Sequence, residues 1–394
     1  MSEPPILIAG AGIGGLAAAL ALSQIGRPTV VFERTEAARE IGAGIQLSPN
    51  ACAALKALGV LEAVRGRSFE PEALEIRDGV SGALLAREPA GAHFETYFGA
   101  PYLQIRRADL HNVLMQAALD SGVLILGGSC VTTFESSPKA VRVDLAHGEP
   151  VSGSALIGAD GLGSTVREGL FGAERARFTG QIAYRALVPR EDVDSRLVAP
   201  VAGVWLGARQ HFVHYYVAGG AAINVVGVVE GAEPGLESWA REAADEALKE
   251  AFKDWAAPVR QLCAAAQSTR CWPLFDRRPL TTWGRQNVTL LGDACHPMLP
   301  FLAQGAAMAL EDAVTLARCV GDAGTDIPLA FKRYQGLRKP RTSRVQAAAR
   351  RNARLFHLPT ALMRKGLGAA LSLGNAVAPG KLSLRQDWLY GHRP

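Results

Sequence analysis

The sequence predicts an α/β fold in which a βαβ-based domain is interrupted by an antiparallel β-sheet and followed by a helical C-terminal region. Three observations predict it. Ile6-Leu7-Ile8-Ala9-Gly10-Ala11-Gly12-Ile13-Gly14-Gly15 reads as a short apolar strand, a tight glycine turn and the start of a helix reaching Gly26. From Gln181 to Glu230 the chain alternates strand-like runs with Gly-rich turns. Near residue 270 it returns to the first kind of pattern, with a buried strand Val288–Leu291, the turn Gly292-Asp293-Ala294 and a helix from Gly305 to Cys319.

In the first unit Gly10 permits the turn, Gly12 lets the backbone approach a pyrophosphate and Gly15 packs helix on strand, while the helix N-terminus supplies partial positive charge. A second apolar strand, Thr29–Phe32, ends at Glu33, about 20 residues on, where a carboxylate can accept hydrogen bonds from an adenosine ribose. Strand, turn, helix, strand and acid together make a Rossmann-like dinucleotide site. Gly292 lies 280 positions after Gly12, and the two glycine-rich segments suit one large nucleotide, which points to a flavin.

The remaining elements follow in order. Ala51–Val64 reads as helix, and strands Ala73–Arg77 and Ala83–Ala86 flank the turn Asp78-Gly79. A helix spans Ala108–Ser121. Strands Val123–Leu126, Val131–Phe134 and Val141–Leu145 lead to Ala155–Gly158 and the turn Ala159-Asp160-Gly161. Glu237–Ala266 is again helical. The resulting division is a discontinuous nucleotide-binding domain (1–72, 100–175 and 270–345), a substrate domain (73–99 and 176–269) and a C-terminal helical region (346–394). A ligand held by one domain and covered by a second sheet lies at a domain interface, where small-molecule sites concentrate.

At 394 residues and 48% hydrophobic content the chain can bury a sizeable core, and its length suits two or three joined domains. It enters its first strand almost at once, without a basic-then-apolar leader, and Ala361–Pro379 is interrupted by Arg364, Lys365, Asn375 and glycines, so a cytoplasmic enzyme with no membrane span is expected. Cys52, Cys130, Cys263, Cys271, Cys295 and Cys319 form no Cys-x-x-Cys pair, which argues for free core thiols and against metal or a disulfide framework. The net charge of +5 is mild. Its excess crowds Arg338, Lys339, Arg341, Arg344, Arg350, Arg351 and Arg354, read as a solvated helix face or, more sharply, as a funnel for an anionic substrate or nicotinamide cofactor. Without interleaved aromatics, nucleic acid is not an expected partner; the oligomeric state, monomer or homodimer, stays open.

The chain resembles the single-component FAD-dependent aromatic hydroxylases, the flavoprotein monooxygenases acting on salicylate, 3-hydroxybenzoate and 6-hydroxynicotinate. Beyond the glycine turn the likeness is carried by Ile41-Gly42-Ala43-Gly44-Ile45-Gln46-Leu47-Ser48-Pro49-Asn50, Arg107-Ala108-Asp109-Leu110-His111, Gly158-Ala159-Asp160-Gly161, Gly292-Asp293-Ala294-Cys295-His296-Pro297 and Ala303-Gln304-Gly305-Ala306. The closing Asp387-Trp388-Leu389-Tyr390-Gly391 is similar to the tail of the salicylate and 3-hydroxybenzoate members.

The resemblance implies that NAD(P)H reduces FAD, that O2 adds at the flavin C4a, and that the hydroperoxide delivers oxygen to an activated ring. Expected cofactor contacts are Gly10, Gly12, Gly15, Glu33, Arg34, Arg107 on the pyrophosphate, Val131, Asp160, Asp293 on the ribityl chain, and the backbone of Gly305 and Ala306. That last helix N-terminus would offset charge on the reduced pyrimidine ring. No second glycine fingerprint separates NADH from NADPH.

Ring activation calls for a base that takes a phenolic proton near neutral pH, which suits histidine. On the strand Arg209–Tyr216, period-two alternation puts His211, Val213 and Tyr215 on one face and Phe212, His214 and Tyr216 on the other. Relatives place His and Tyr at the positions of His211 and Tyr215 toward the substrate, so that face is chosen; at about 3.3 Å per residue their Cα atoms lie roughly 13 Å apart. His296 reads as a loop-orienting residue. Pro297 and Pro300 stiffen the loop over the flavin; Pro300 and Gln46 are expected at the substrate, and Arg185 is expected to pair with a substrate carboxylate or to face the flavin. Hydroxynicotinate hydroxylases carry His where this chain has Gln46, a departure that favours a benzene ring. The competing readings are a hydroxypyridine carboxylate hydroxylase and a flavin-dependent reductase that does not oxygenate.

Overall fold

The computed structural model describes residues 3–36, 44–138, 140–232, 241–242, 245–377 and 386–394; Ile41-Gly42-Ala43 of the motif above and residues 237–240 and 243–244 of the expected helix lie outside them. The strand Ile6–Ala9 is wholly buried, and it lies inside a six-stranded sheet ordered Gly284–Arg285, Val288–Leu290, Ala155–Gly158, Ile6–Ala9, Thr29–Phe32, Leu124–Leu126. All neighbours run parallel except the first hairpin. Strands covered on both faces need apolar side chains throughout, which is why the inner strands Ile6–Ala9 and Ala155–Gly158 read as unbroken apolar runs.

Helix Ile13–Gln24 packs against helix Gly305–Ala323 and is buried over most of its length. Two glycines make the first turn possible. Gly10 has φ +102°, and a Cβ on Gly15 would overlap the Gly10 carbonyl oxygen.

The second sheet has eight strands, in the order Arg241–Glu242, Gln267–Asp276, Arg177–Pro189, Ala222–Glu230, Gln210–Val217, Ala202–Leu206, Ala73–Asp78, Leu84–Pro89. It is mixed, because Ala202–Leu206 runs parallel to Ala73–Asp78 while the other pairs are antiparallel. Phe212, Tyr216, Val225 and Ile223 on one face form a core with Phe252, Trp255, Val259 and Leu262 of the helices Asp245–Ala251 and Ala257–Ala265 and the turn between them. On the other face Ala183 and Val228 meet Leu299, Phe301, Ala349 and Ala353. Here the loop after the first sheet and the helix Ile327–Phe356 join the two halves; that helix runs unbroken across position 345.

Three expectations are corrected. Ala51–Val64 is two helices, Pro49–Ala57 and Leu61–Arg65, split where Gly59 adopts φ +75°. Within 237–266 the described residues hold a strand pairing with Cys271 and Arg270 and two short helices, the second opened by Pro258. The arginine-rich stretch is a solvated face only in part, with Arg344, Arg351 and Arg354 exposed. Arg338 is 1% exposed between Glu311 and Asp312, Arg341 pairs with Glu311, Arg350 pairs with Asp276 and Arg344 stacks on Trp388. Two buried carboxylates on helix Gly305–Ala323 demand Arg338 and Arg341. Cys52, Cys263, Cys295 and Cys319 are buried, and all six thiols are free. Among the described residues no helix is long and apolar enough to cross a membrane.

Candidate active site

A cleft of ≈ 620 Å³ opens where the strands Ile6–Ala9, Ala155–Gly158 and Val288–Leu290 end, the position where parallel α/β sheets hold ligands. Gly10, Gly12, Glu33 and Arg34 line one side, Arg107, Val131 and Asp160 another, and Asp293, Gly305 and Ala306 close it. Gly15 lies behind the wall, tucked against the Gly10 carbonyl. The Glu33 carboxylate accepts from the backbone N–H of Ala11 at 2.9 Å and of Thr35 at 3.1 Å. Its partial burial pushes the pKa up, but these hydrogen bonds outweigh it and hold the group below the usual carboxylate range. His111 ties the same turn from the neighbouring helix, its Nε2 2.7 Å from the Ala11 carbonyl oxygen.

Asp160 accepts from the Val166 N–H at 3.2 Å and so caps the helix Thr165–Phe171, while its second oxygen is buried without a partner; burial raises its pKa. Asp293 stands exposed on the cleft wall, with the rest of its turn buried behind it. The protein packed around the cleft wall raises its carboxyl pKa, against the opposing pull of His296 and Arg107.

The loop carrying Asp293 is held from behind. Asp312 accepts from the Gly292 N–H at 3.2 Å, from His296 Nε2 at 2.5 Å and from Arg338 Nε at 2.7 Å. Burial alone would raise the Asp312 pKa, yet His296 and Arg338 pull it down to about 2. His296 therefore orients the loop. One residue earlier, Glu311 accepts from Asn50 at 2.7 Å, and Gln304, which precedes helix Gly305–Ala323, bonds both Asn50 and Ser48. The Ser48-Pro49-Asn50 and Gln304-Gly305 motifs are thus one buried network that fixes the helix N-terminus on the cleft wall.

The groups expected at the substrate do not line that cleft; they gather on one face of the eight-stranded sheet. Register places His211 beside Val228 and Ala183, Val213 beside Val226 and Arg185, and Tyr215 beside Asn224 and Leu187. The other histidine of the strand, His214, lies on the opposite face, where it accepts from Trp205 Nε1 at 3.0 Å.

His211 is 3% exposed, packed by the rings of Phe301 and Phe356 at 5.2 and 5.3 Å, with Nδ1 2.8 Å from Nε2 of His357. Burial first, then His357, holds its pKa well below the ordinary value, so the ring is neutral at pH 7. Burial raises the Tyr215 hydroxyl pKa, with Arg185 opposing. The Arg185 guanidinium stacks 5.6 Å over Trp272 and has no carboxylate partner among the described residues; enclosure lowers its pKa. Gln46 accepts from the Tyr102 hydroxyl at 2.5 Å, and its strand neighbour Gly44 lies against the Tyr215 ring and Asn224. Pro300 opens a short 3-10 turn whose Phe301 reaches His211, and its own carbonyl accepts from the Ala303 N–H.

Four residues at this site escaped the sequence reading. His357 follows a basic helix and belongs to no motif, Tyr102 stands just before the strand Leu103–Arg106, and Asn224 is an ordinary strand residue. His111 stood inside a quoted motif, and its spacing from Arg107, one helical turn, was a usable signal.

The cleft residues fit FAD. Nothing lies within 4 Å of where a Cβ on Gly12 would sit, so its backbone faces open space, and no side chain caps helix Gly305–Ala323 at its cleft end. A nucleotide-binding α/β domain interrupted by a second, largely antiparallel sheet is the architecture of a flavoprotein oxygenase.

The chain belongs to the FAD-binding-domain family, whose model matches residues 3–347. It is 39% identical over 394 residues to the 3-hydroxybenzoate 6-hydroxylase of Polaromonas naphthalenivorans (strain CJ2), covering 99% of this chain and 96% of that one. It is 36% identical over 353 residues to the 6-hydroxynicotinate 3-monooxygenase of Bordetella bronchiseptica, covering 89% and 91%. Among solved structures, Klebsiella pneumoniae HpxO complexed with FAD and uric acid superposes with a TM-score of 0.84 at 28% identity, covering 95% and 94%. The chain is an FAD-dependent aromatic monooxygenase that uses NAD(P)H and O2.

Proposed function

We propose that this enzyme hydroxylates a phenolic aromatic carboxylic acid of the hydroxybenzoate or salicylate type. The observation that carries the reading is Arg185, an enclosed guanidinium without a carboxylate partner among the described residues, on the same sheet face as His211 and Tyr215. An enclosed cation is costly unless an anion meets it, and a substrate carboxylate supplies one in the bidentate geometry that guanidinium favours.

Bound FAD, reduced by NAD(P)H, supplies the electrophilic oxygen derived from O2. The chain's residues do the rest. Gly10, Gly12, Glu33, Arg34 and Arg107 hold the adenosine and pyrophosphate end, with Gly15 setting the turn and Val131 closing the side. Asp160 and Asp293 serve the sugar and ribityl chain, and the N–H groups of Gly305 and Ala306 face the pyrimidine end.

His211 is neutral and accepts the phenolic proton, leaving an electron-rich ring. Tyr215, protonated, donates to the opposite edge of that ring. Gln46, held by Tyr102, and Pro300 bound the pocket, and Phe301 and Phe356 keep water away. Because NAD(P)H is a cytoplasmic reductant, we place the enzyme in the cytoplasm, as a monomer or homodimer.

The test is a screen of hydroxybenzoates, salicylate and 6-hydroxynicotinate that follows NAD(P)H oxidation, O2 uptake and hydrogen peroxide release together. A benzene-ring acid should give matched NAD(P)H and O2 consumption with little peroxide. Coupled turnover of the pyridine alone, or NAD(P)H oxidation without O2 uptake, would overturn the reading.

A further inference from the structure

We propose that His357 and Glu230 form a proton path between solvent and His211, with His357 also fixing which nitrogen of His211 carries its hydrogen. The proposal rests on the reading of His211 as the base for a phenol. His357 Nε2 lies 2.8 Å from His211 Nδ1, and on its far side His357 Nδ1 is buried without a hydrogen-bond partner, 3.6 Å from Glu230 Oε1. A shift of about 0.6 Å makes that contact a hydrogen bond. Glu230 ends the strand Ala222–Glu230 with its side chain 40% exposed, and Arg209, itself exposed, stands 3.8 Å from its other oxygen. Solvent therefore reaches the outer end of the row, while Phe301 and Phe356 enclose the inner end.

The carboxylate sets the direction of the hydrogens. Glu230 beside His357 Nδ1 favours a hydrogen on that nitrogen, so Nε2 keeps its lone pair and accepts from His211 Nδ1–H. His211 Nε2 is then left with a lone pair toward the substrate face, the form a base requires. When the phenol yields its proton to Nε2, the Nδ1 proton passes to His357 Nε2 and the His357 Nδ1 proton passes to the Glu230 carboxylate and out to water. The reverse movements restore the starting tautomers when the hydroxylated ring regains its phenol. Burial lowers the His357 pKa to about 4, so the ring does not hold the proton in transit.

Stopped-flow mixing of the FAD-loaded enzyme with 3-hydroxybenzoate, and separately with salicylate, in weak buffer with a pH indicator reads proton release, while ligand absorbance reads phenolate formation. His357→Gln keeps a hydrogen-bonding partner for His211 but cannot pass a proton onward. Release should slow by at least about tenfold in this variant with ligand affinity changed by less than about threefold. Glu230→Gln, at the surface, should slow release less, and added buffer should restore the rate. If His357→Gln does not fold, Glu230→Gln decides alone. Release within about twofold of wild type in the folded variants, with the wild type hydroxylating either acid, overturns the path and leaves the hydroxylase reading standing. A wild type that binds FAD but neither hydroxylates nor releases a proton with either acid overturns both.

Discussion

Arg338 and Asp312 form an ion pair enclosed on all sides, Nε to Oδ1 at 2.7 Å with neither side chain more than 1% exposed. It joins the helix Ile327–Phe356 to the helix whose N-terminus walls the cleft, and through Asp312 it reaches the Gly292 N–H and His296. Removing one partner strands a buried charge. Arg338→Ala should destabilise the protein by about 3–5 kcal/mol and weaken FAD retention, as read from denaturant midpoints and from flavin released on dilution. An unchanged midpoint would show that the pair is dispensable.

Gly15 admits no side chain, because its Cβ position overlaps the Gly10 carbonyl oxygen. Gly15→Ala must push the helix off the strand and distort the pyrophosphate turn. The purified variant should be colourless or hold FAD far more weakly, whereas Gly336→Ala, with nothing near its Cβ position, should keep full flavin content. Absorbance at the flavin band against protein concentration decides.

His211→Ala should leave FAD bound, since His211 does not line the cofactor cleft. The rate of hydroxylation should fall by about 10²–10⁴ and NAD(P)H consumption should shift toward peroxide. Turnover at the wild-type rate removes His211 from the chemistry.

Arg185→Gln removes the enclosed cation that we pair with a substrate carboxylate. Affinity for 3-hydroxybenzoate should weaken by about 2 kcal/mol or more, while a phenol lacking the carboxylate should bind as it does to wild type. Equal weakening for both ligands, in flavin-fluorescence titrations, would assign Arg185 to the sheet and not to the substrate.

His214 gives a pH dependence of stability. Burial, with a smaller push from Arg77, lowers its pKa from 6.5 to about 4, and its Nδ1 accepts from Trp205. The unfolded chain protonates this histidine before the folded one does. Its contribution is therefore complete above pH 6.5 and is lost as pH falls toward 4. Urea midpoints should drop between pH 7 and pH 5, and His214→Gln should flatten part of that slope.

The cofactor half of the fold was legible because each device there has a local signature. A glycine turn, an acid after the second strand and a Gly-Asp turn are all visible within a few residues, and the described residues place Gly12, Glu33 and Asp293 on one cleft. Alternation along Gln210–Val217 likewise separated the face of His211 from that of His214. What escaped was pairing over long distances. The arginines of helix Ile327–Phe356 look like a wet face until Glu311 and Asp312 are seen opposite them, because polarity in a sequence does not say whether a partner is buried with it. His357 was invisible for the same reason, lying 146 positions from the ring it touches.

The parallel sheet sets Ile6–Ala9 and Val288–Leu290 on either side of Ala155–Gly158, so its central rows draw on opposite thirds of the chain. During synthesis the first glycine turn must wait through the whole second sheet before its opposite wall emerges. Flavin capture is consequently a late event in biogenesis, and until Val288–Leu290 emerges the nascent protein carries an unpaired edge on Ala155–Gly158 that exposes it to aggregation and to cellular quality control.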